Sequence, residues 1–436
     1  MRVYLVVGGG AAGCAAAAVL SREGHEVTLF EASGELGGRT RTVERDGFGV
    51  EVGAIYLLNS YTHTIGLLND VGRGGVVQPW SPLAGLWDGA VLHPIRYDYI
   101  PSFFRLPMLS VRDKARLALR AAQIIASPAP DPFETESLAQ FDTGDNMEMW
   151  ARKRLGDKLF ECFVRPLIEP SFGTDCRDLS VPYLQGVMKR AHRSKFFLPV
   201  EGMGSVCRAL TAKVDVRLDT QVAGVEVDGH EVVIRTTDDQ VVRADGVVIA
   251  TDAPQAAGLL DGQIGPDLAQ SLRSVPYASM AHVNLRWRKD PWPNSEFEML
   301  LPIGAGPRDI LGTIVKTSRS AQELVPAGAR MTNSYFSSES TRRLSDGELV
   351  EATLRHVAKI LGDGAPEPEA EVFRSERALA TCPPGHYRDM SRLRGAMPPR
   401  IAVAGDYLAH LGVETAVVSG EHAAGKLIAT APPARR

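Results

Sequence analysis

The chain has 436 residues, too many for one simple core, so two domains are expected. A hydrophobic fraction of 44% and a charged fraction of 23% are those of a soluble globular protein, and a formal net charge of −4 gives no basic footprint for nucleic acid. The five cysteines (Cys14, Cys162, Cys176, Cys207 and Cys382) are scattered, odd in number and without CxxC or metal spacing. They read as reduced cytoplasmic thiols, and no metal site is expected. The first strand begins at residue 3, which leaves no room for a signal peptide, and no apolar run has the length of a membrane span.

The opening stretch, 3–31, reads as a buried strand, a glycine turn, an alanine-rich helix, a second strand and a carboxylate. Gly8 permits the tight turn, and Gly10 lets a pyrophosphate approach the backbone. Gly13, with neighbours such as Ala12, lets the helix lie close on the sheet. The free N–H groups and positive end of that helix then face phosphate. Glu31 ends the second strand, where a carboxylate accepts hydrogen bonds from an adenosine ribose. Directly afterwards come Gly37-Gly38-Arg39 and then Gly53-Ala54-Ile55-Tyr56. A nicotinamide enzyme has no need of this second turn. A flavin enzyme does: Gly38 lets the backbone pass close to the cofactor, and Arg39 offers a planar fork to its phosphates.

Helical spacing predicts a helix over 61–71, and others over 114–125, 145–155 and 157–168. The chain then returns with a helix over 206–212, short alternating strands over 214–219, 221–227, 231–236 and 240–243, and a buried strand over 245–251. Strands are expected over 275–287, 310–316 and 331–336, with a helix over 347–361. The end of the chain gives a short strand, 401–404, followed by Gly405-Asp406 and a helix beyond Gly412.

The Glu31-x7-Arg39 spacing, the Gly405-Asp406 strand end and the segment Asn146…Ser180 resemble the flavin amine oxidase superfamily. That superfamily also holds protoporphyrinogen and coproporphyrinogen oxidases and phytoene desaturases. The resemblance runs end to end and is closest in layout to the porphyrinogen oxidases. It implies an α/β fold: a Rossmann-like FAD-binding domain of the glutathione-reductase type (1–85, 196–270 and 373–436) with an inserted α+β substrate domain. The insert consists of a helical part (86–195) and a sheet plus helix (271–372). The resemblance also implies noncovalent FAD. Val222 would lend its backbone to the adenine, Gly405 and Asp406 would meet the ribityl and pyrophosphate side, and Val413 and Thr415 would point a helix N-terminus at the flavin carbonyl edge.

Related amine oxidases place a lysine from the substrate sheet near flavin N5. Here Val275-Pro-Tyr-Ala-Ser-Met-Ala puts His282 at that place, where an imidazole would hold a water or take a proton; Lys316 on the next strand is the substitute. Cys382 lies several residues from the position that carries flavin covalently in some members. Thr381 and Gly412 stand where an aromatic cage would be. Tyr56 is expected near the ring, facing substrate. The implied activity is FAD-dependent hydride abstraction from a C–H bond of a largely apolar, nitrogen-bearing or porphyrinogen-like substrate, with reoxidation by O2 or another acceptor. Two alternatives stay open: a C–C desaturase of a lipid or polyketide, and a flavin-bound partner protein without turnover of its own.

Overall fold

A computed structural model of the chain describes residues 1–97, 99, 101–191, 195–304, 308–410 and 412–430. The apolar run Val3–Val7 is the central strand of a five-stranded parallel sheet. Its order is Asp215–Arg217, Glu26–Phe30, Val3–Val7, Gly246–Ile249, Ile401–Val403. A parallel strand is covered on both faces, which is why Leu5, Val6 and Val7 are all buried rather than alternating. One cover is the helix Ala11–Arg22, whose alanines pack against the closing helix Val413–Thr430. The other is a three-stranded antiparallel sheet, Val222–Asp228, Glu231–Thr236 and Val241–Ala244, which buries Val225, Val232 and Ile234 on Leu5, Val7 and Ile249.

The second large sheet has seven strands, in the order Glu369–Ala380, Tyr277–Trp287, Arg330–Phe336, Ile310–Thr317, Phe297–Pro302, Leu83–Trp87, Leu92–Ile95. Two of its members differ from the expectation. Residues 373–380, expected in the FAD-binding domain, pair with Tyr277–Trp287, and Leu83–Trp87, which straddles the expected boundary at 85, runs parallel to Phe297–Pro302. An antiparallel strand with one solvent-facing side and a re-entering strand look alike in sequence; only the non-local pairing tells them apart.

Most predicted helices are present, and two start earlier than expected, at their caps. The helix Val111–Ala126 begins at a capping box of Ser110 and Asp113, and Asp346–Leu361 at one of Ser345 and Glu348. The helix expected over 157–168 is interrupted. A π turn over Phe160–Val164 separates Asp157–Leu159 from Arg165–Phe172, immediately before Pro166. Proline has no N–H to give an α-helical ladder, and the chain widens there instead. The largest apolar cluster joins this helical region to the seven-stranded sheet through Leu159, Phe160, Phe172, Met299 and Ile314. No helix among the described residues is long and apolar enough to cross a membrane.

Candidate active site

Three turns, two near the start of the chain and one near its end, meet around Gly10, Arg39 and Asp406. In the first, Gly8 has φ +108°, and a Cβ on Gly13 would lie 1.9 Å from the Gly8 carbonyl oxygen. Gly10, by contrast, faces empty space: no atom lies within 4 Å of where its Cβ would be. Gly10 caps the helix with no side-chain bond, so the first-turn N–H groups have no intrahelical acceptor. Glu31 lies beside the turn. Its oxygens accept from Gly9 N–H (2.7 Å), Ser33 N–H (2.8 Å) and Ser33 Oγ (2.7 Å).

The second turn is wound against the first. Gly37 and Gly38 both have positive φ, and Gly38 sits against Gly10. The Arg39 carbonyl accepts from Ala54 N–H (3.1 Å), and a Cβ on Gly53 would approach that oxygen to 2.2 Å. Arg39 lies deep in the molecule, yet 41% of its side chain is accessible, so it borders an internal hollow. Its guanidinium holds Asp406 bidentately at 2.9 and 2.8 Å and also donates to the Ala378 carbonyl at 3.1 Å. The fork expected to meet phosphate is therefore engaged by a carboxylate. Asp406 is buried and requires a charged partner, and Arg39 supplies it.

The third turn leads from Gly405 into the closing helix. Gly405 N–H donates to Ser419 Oγ (2.9 Å). Val413 and Thr415 are buried in the helix's first turn, and the Thr415 hydroxyl has no protein partner. Val222 is a buried strand residue beside a bulge of the small sheet.

On the opposite wall, His282 is 3% exposed, stacked on Phe373 with ring centroids 4.8 Å apart, and hydrogen-bonded to the backbone of Glu51. Burial pushes its pKa down to about 4. The ring is neutral at pH 7, which opposes the expected taking of a proton there and leaves the expected holding of a water untouched. The sign for stability follows: between the ordinary value and about 4 the unfolded chain binds the extra proton, so stability falls as pH falls through that window. This depression amounts to about 3 kcal/mol. His282→Asn is expected to flatten the acid limb of a denaturant-unfolding profile; an unchanged limb would contradict the burial argument.

Lys316 also stands on this wall, fully buried, and its Nζ lies 3.4 Å from Glu51 Oε1. Sequence reasoning passed over Glu51, which gathers three elements. Besides Lys316 it accepts from Thr42 Oγ1 (2.7 Å) and Met203 N–H (3.1 Å). Burial holds the Lys316 ammonium below its ordinary pKa and the Glu51 carboxyl above its own, against their mutual attraction. Tyr335 Oη donates to the Gly53 carbonyl (3.2 Å), and Tyr56 lies half-buried beside Phe196. Cys382 is buried and unbridged, with its Sγ 3.2 Å from the Ala409 carbonyl.

Residues 11–428 match the family of flavin containing amine oxidoreductases, and the chain belongs to that family. It is an FAD-dependent oxidoreductase. It is 26% identical to a coproporphyrinogen III oxidase of Mycobacterium tuberculosis, over 98% of this chain and 97% of that protein. Among solved structures, it resembles a putative protoporphyrinogen oxidase from Exiguobacterium (TM-score 0.75, 20% identity, 97% of this chain and 98% of that one). It also resembles cyclohexylamine oxidase from Brevibacterium oxydans (TM-score 0.75, 17% identity, 98% of each chain). The residues present fit FAD. An open glycine at a helix N-terminus suits an anion, and the orphaned Thr415 hydroxyl suits a polar ring edge.

Proposed function

We propose that the hollow between the chain's two ends holds FAD noncovalently and that the wall above it admits a largely apolar substrate, with or without nitrogen. In this reading the five-stranded sheet with its covers is the cofactor domain and the seven-stranded sheet with the helical region is the substrate domain. Gly8, Gly10, Ala12 and Gly13 cradle the pyrophosphate, Glu31 takes the ribose, and Val222 borders the adenine. Gly38, Gly53 and Ala54 let the backbone approach the cofactor. Arg39 acts by orienting Asp406, and Gly405, Val413 and Thr415 close the site. The buried Cys382 supports a noncovalent link. Five unbridged cysteines support a reducing, cytoplasmic setting.

When bound, FAD accepts a hydride from the substrate carbon. The chain's own part is orientation and exclusion of water. His282, neutral and stacked on Phe373, and Tyr56 shape the wall without supplying a base. Reoxidation is by O2 or another acceptor. The observation that carries the reading is the Arg39–Asp406 pair, which joins the two chain ends beside the open face of Gly10. The purified chain is expected to be yellow, to release FAD on heating and to be bleached anaerobically by an oxidisable substrate of this class. A colourless chain that takes up no FAD on reconstitution overturns it.

A further inference from the structure

Four tyrosines lie near one another beside the Gly53–Tyr56 segment and the start of the closing helix. Tyr56, Tyr61, Tyr97 and Tyr183 lie deep in the molecule, yet each ring is only half-buried, so their free surfaces open inward. Tyr61, Tyr97 and Tyr183 have hydroxyls with no acceptor among the described residues, and none of these hydroxyls is sealed from solvent. Ser171 stands beside the Tyr56 hydroxyl, and the Tyr61 hydroxyl would lie 3.9 Å from a Cβ on Gly412. The walls between them are aromatic. Phe196 lies 5.0 Å from Tyr56 and 5.8 Å from Tyr97, and Phe172 lies 5.6 Å from Tyr183, between ring centroids.

Among the described residues, no cation or anion acts on Tyr56, Tyr97 or Tyr183. The one carboxylate felt by Tyr61 is Glu414, whose oxygens already accept from His63 N–H, Thr64 N–H and Thr64 Oγ1. Glu51, behind Tyr335, is matched by Lys316. Burial keeps all four phenols protonated, so they are donors at neutral pH.

We infer that this hollow selects an uncharged, ring-bearing substrate whose carbonyl, imine or ether atom accepts a hydrogen bond from one or two of the free hydroxyls of Tyr61, Tyr97 and Tyr183, and that it refuses free ammonium and carboxylate groups. The inference rests on the reading that the hollow faces the flavin. An ion brought here leaves water and meets no counter-charge, whereas a neutral acceptor finds donors that lack partners. A substrate with several carboxylates would have to keep every one of them outside.

Three probes of one size and different charge decide it: benzamide, benzoate and benzylammonium, titrated into the flavin-loaded protein at neutral pH and followed by perturbation of the flavin spectrum. Benzamide is expected to bind at least tenfold more tightly than either ion, and Tyr183→Phe to weaken it about three- to tenfold at unchanged flavin content. Equal or tighter binding of benzoate or benzylammonium, or no response to any of the three, overturns the inference while the flavin assignment stands. A chain without flavin overturns the parent reading instead. The same titrations, followed by the fluorescence of Trp80 beside Tyr56, then still decide the charge preference.

Discussion

Gly13→Ala is expected to yield a chain that neither folds stably nor holds flavin, whereas Gly10→Ala, three residues away, should fold with an unchanged thermal midpoint and lose the flavin alone. At Gly13 the new methyl carbon would lie 1.9 Å from the Gly8 carbonyl oxygen and 3.2 Å from the Ala250 Cβ. The obstacle is backbone, so no rotamer change relieves it, and the helix must retreat from the sheet. Retreat is blocked on its far side, where a Cβ on Gly420 of the closing helix would already lie 2.2 Å from the Ala12 carbonyl oxygen. Overpacking that a core can absorb costs about 1–3 kcal/mol. Here both neighbours are rigid, and the cost should exceed that range. Gly10 has φ −75°, which any residue adopts, and open space around it. Its methyl disturbs nothing in the protein and fills the place where the pyrophosphate passes. Flavin-to-protein ratio after dialysis, read beside thermal unfolding, separates the two effects. A Gly10→Ala protein that keeps a full complement of flavin would place the cofactor elsewhere.

What the sequence made legible was local. The strand–turn–helix–strand at 3–31 could be read because each of its parts constrains the next within a few residues, and Ser110-x-x-Asp113 and Ser345-x-x-Glu348 mark helix starts by the same short-range chemistry. Arg39 and Asp406 were each singled out, but as separate contacts to a cofactor. That they bind each other is a fact about residues at opposite ends of the chain, and no spacing encodes it. The strand at 369–380 was not read from the sequence, which assigned residues from 373 onward to the FAD-binding domain, for the same reason. Its alternation fits either sheet, and the pairing of Phe373 with His282 decides between them. His282 was singled out by its place in the pattern, but whether an imidazole is a base depends on how far it is buried. Tyr61, Tyr97 and Tyr183 carried no signal at all in the sequence, because a tyrosine lining a hollow and one filling a core occur in the same apolar surroundings.

Replacing Lys316 by methionine is the second large effect expected. The lysine is fully buried, as is Glu51, its only charged partner among the described residues. Removing the ammonium leaves a carboxylate in the interior with only Thr42 Oγ1 and Met203 N–H to satisfy it, a loss of about 3–5 kcal/mol when one member of such a pair is deleted. Glu51→Gln alone should also destabilise, since it strands the ammonium. The double variant, with neither charge, should recover most of the loss, because the attraction in the parent protein offsets a large desolvation penalty. The pH dependence supplies a check that simple cavity formation cannot imitate. Burial already holds the Glu51 carboxyl above its ordinary pKa, and without Lys316 it rises further. A carboxyl whose folded value is raised stabilises the fold when protonated and loses that stabilisation as pH climbs through the folded value. The Lys316→Met deficit should therefore shrink in acid and grow toward alkaline pH, while the double variant shows no such trend. Glu51 also ties together the backbone beside Thr42, Met203 and Gly53, on both flanks of the Arg39 turn, so flavin affinity should fall with stability in the single variant and return in the double. A single variant as stable as the parent at every pH would mean that Glu51 is held neutral in the native protein and that the two residues form a hydrogen bond and not an ion pair.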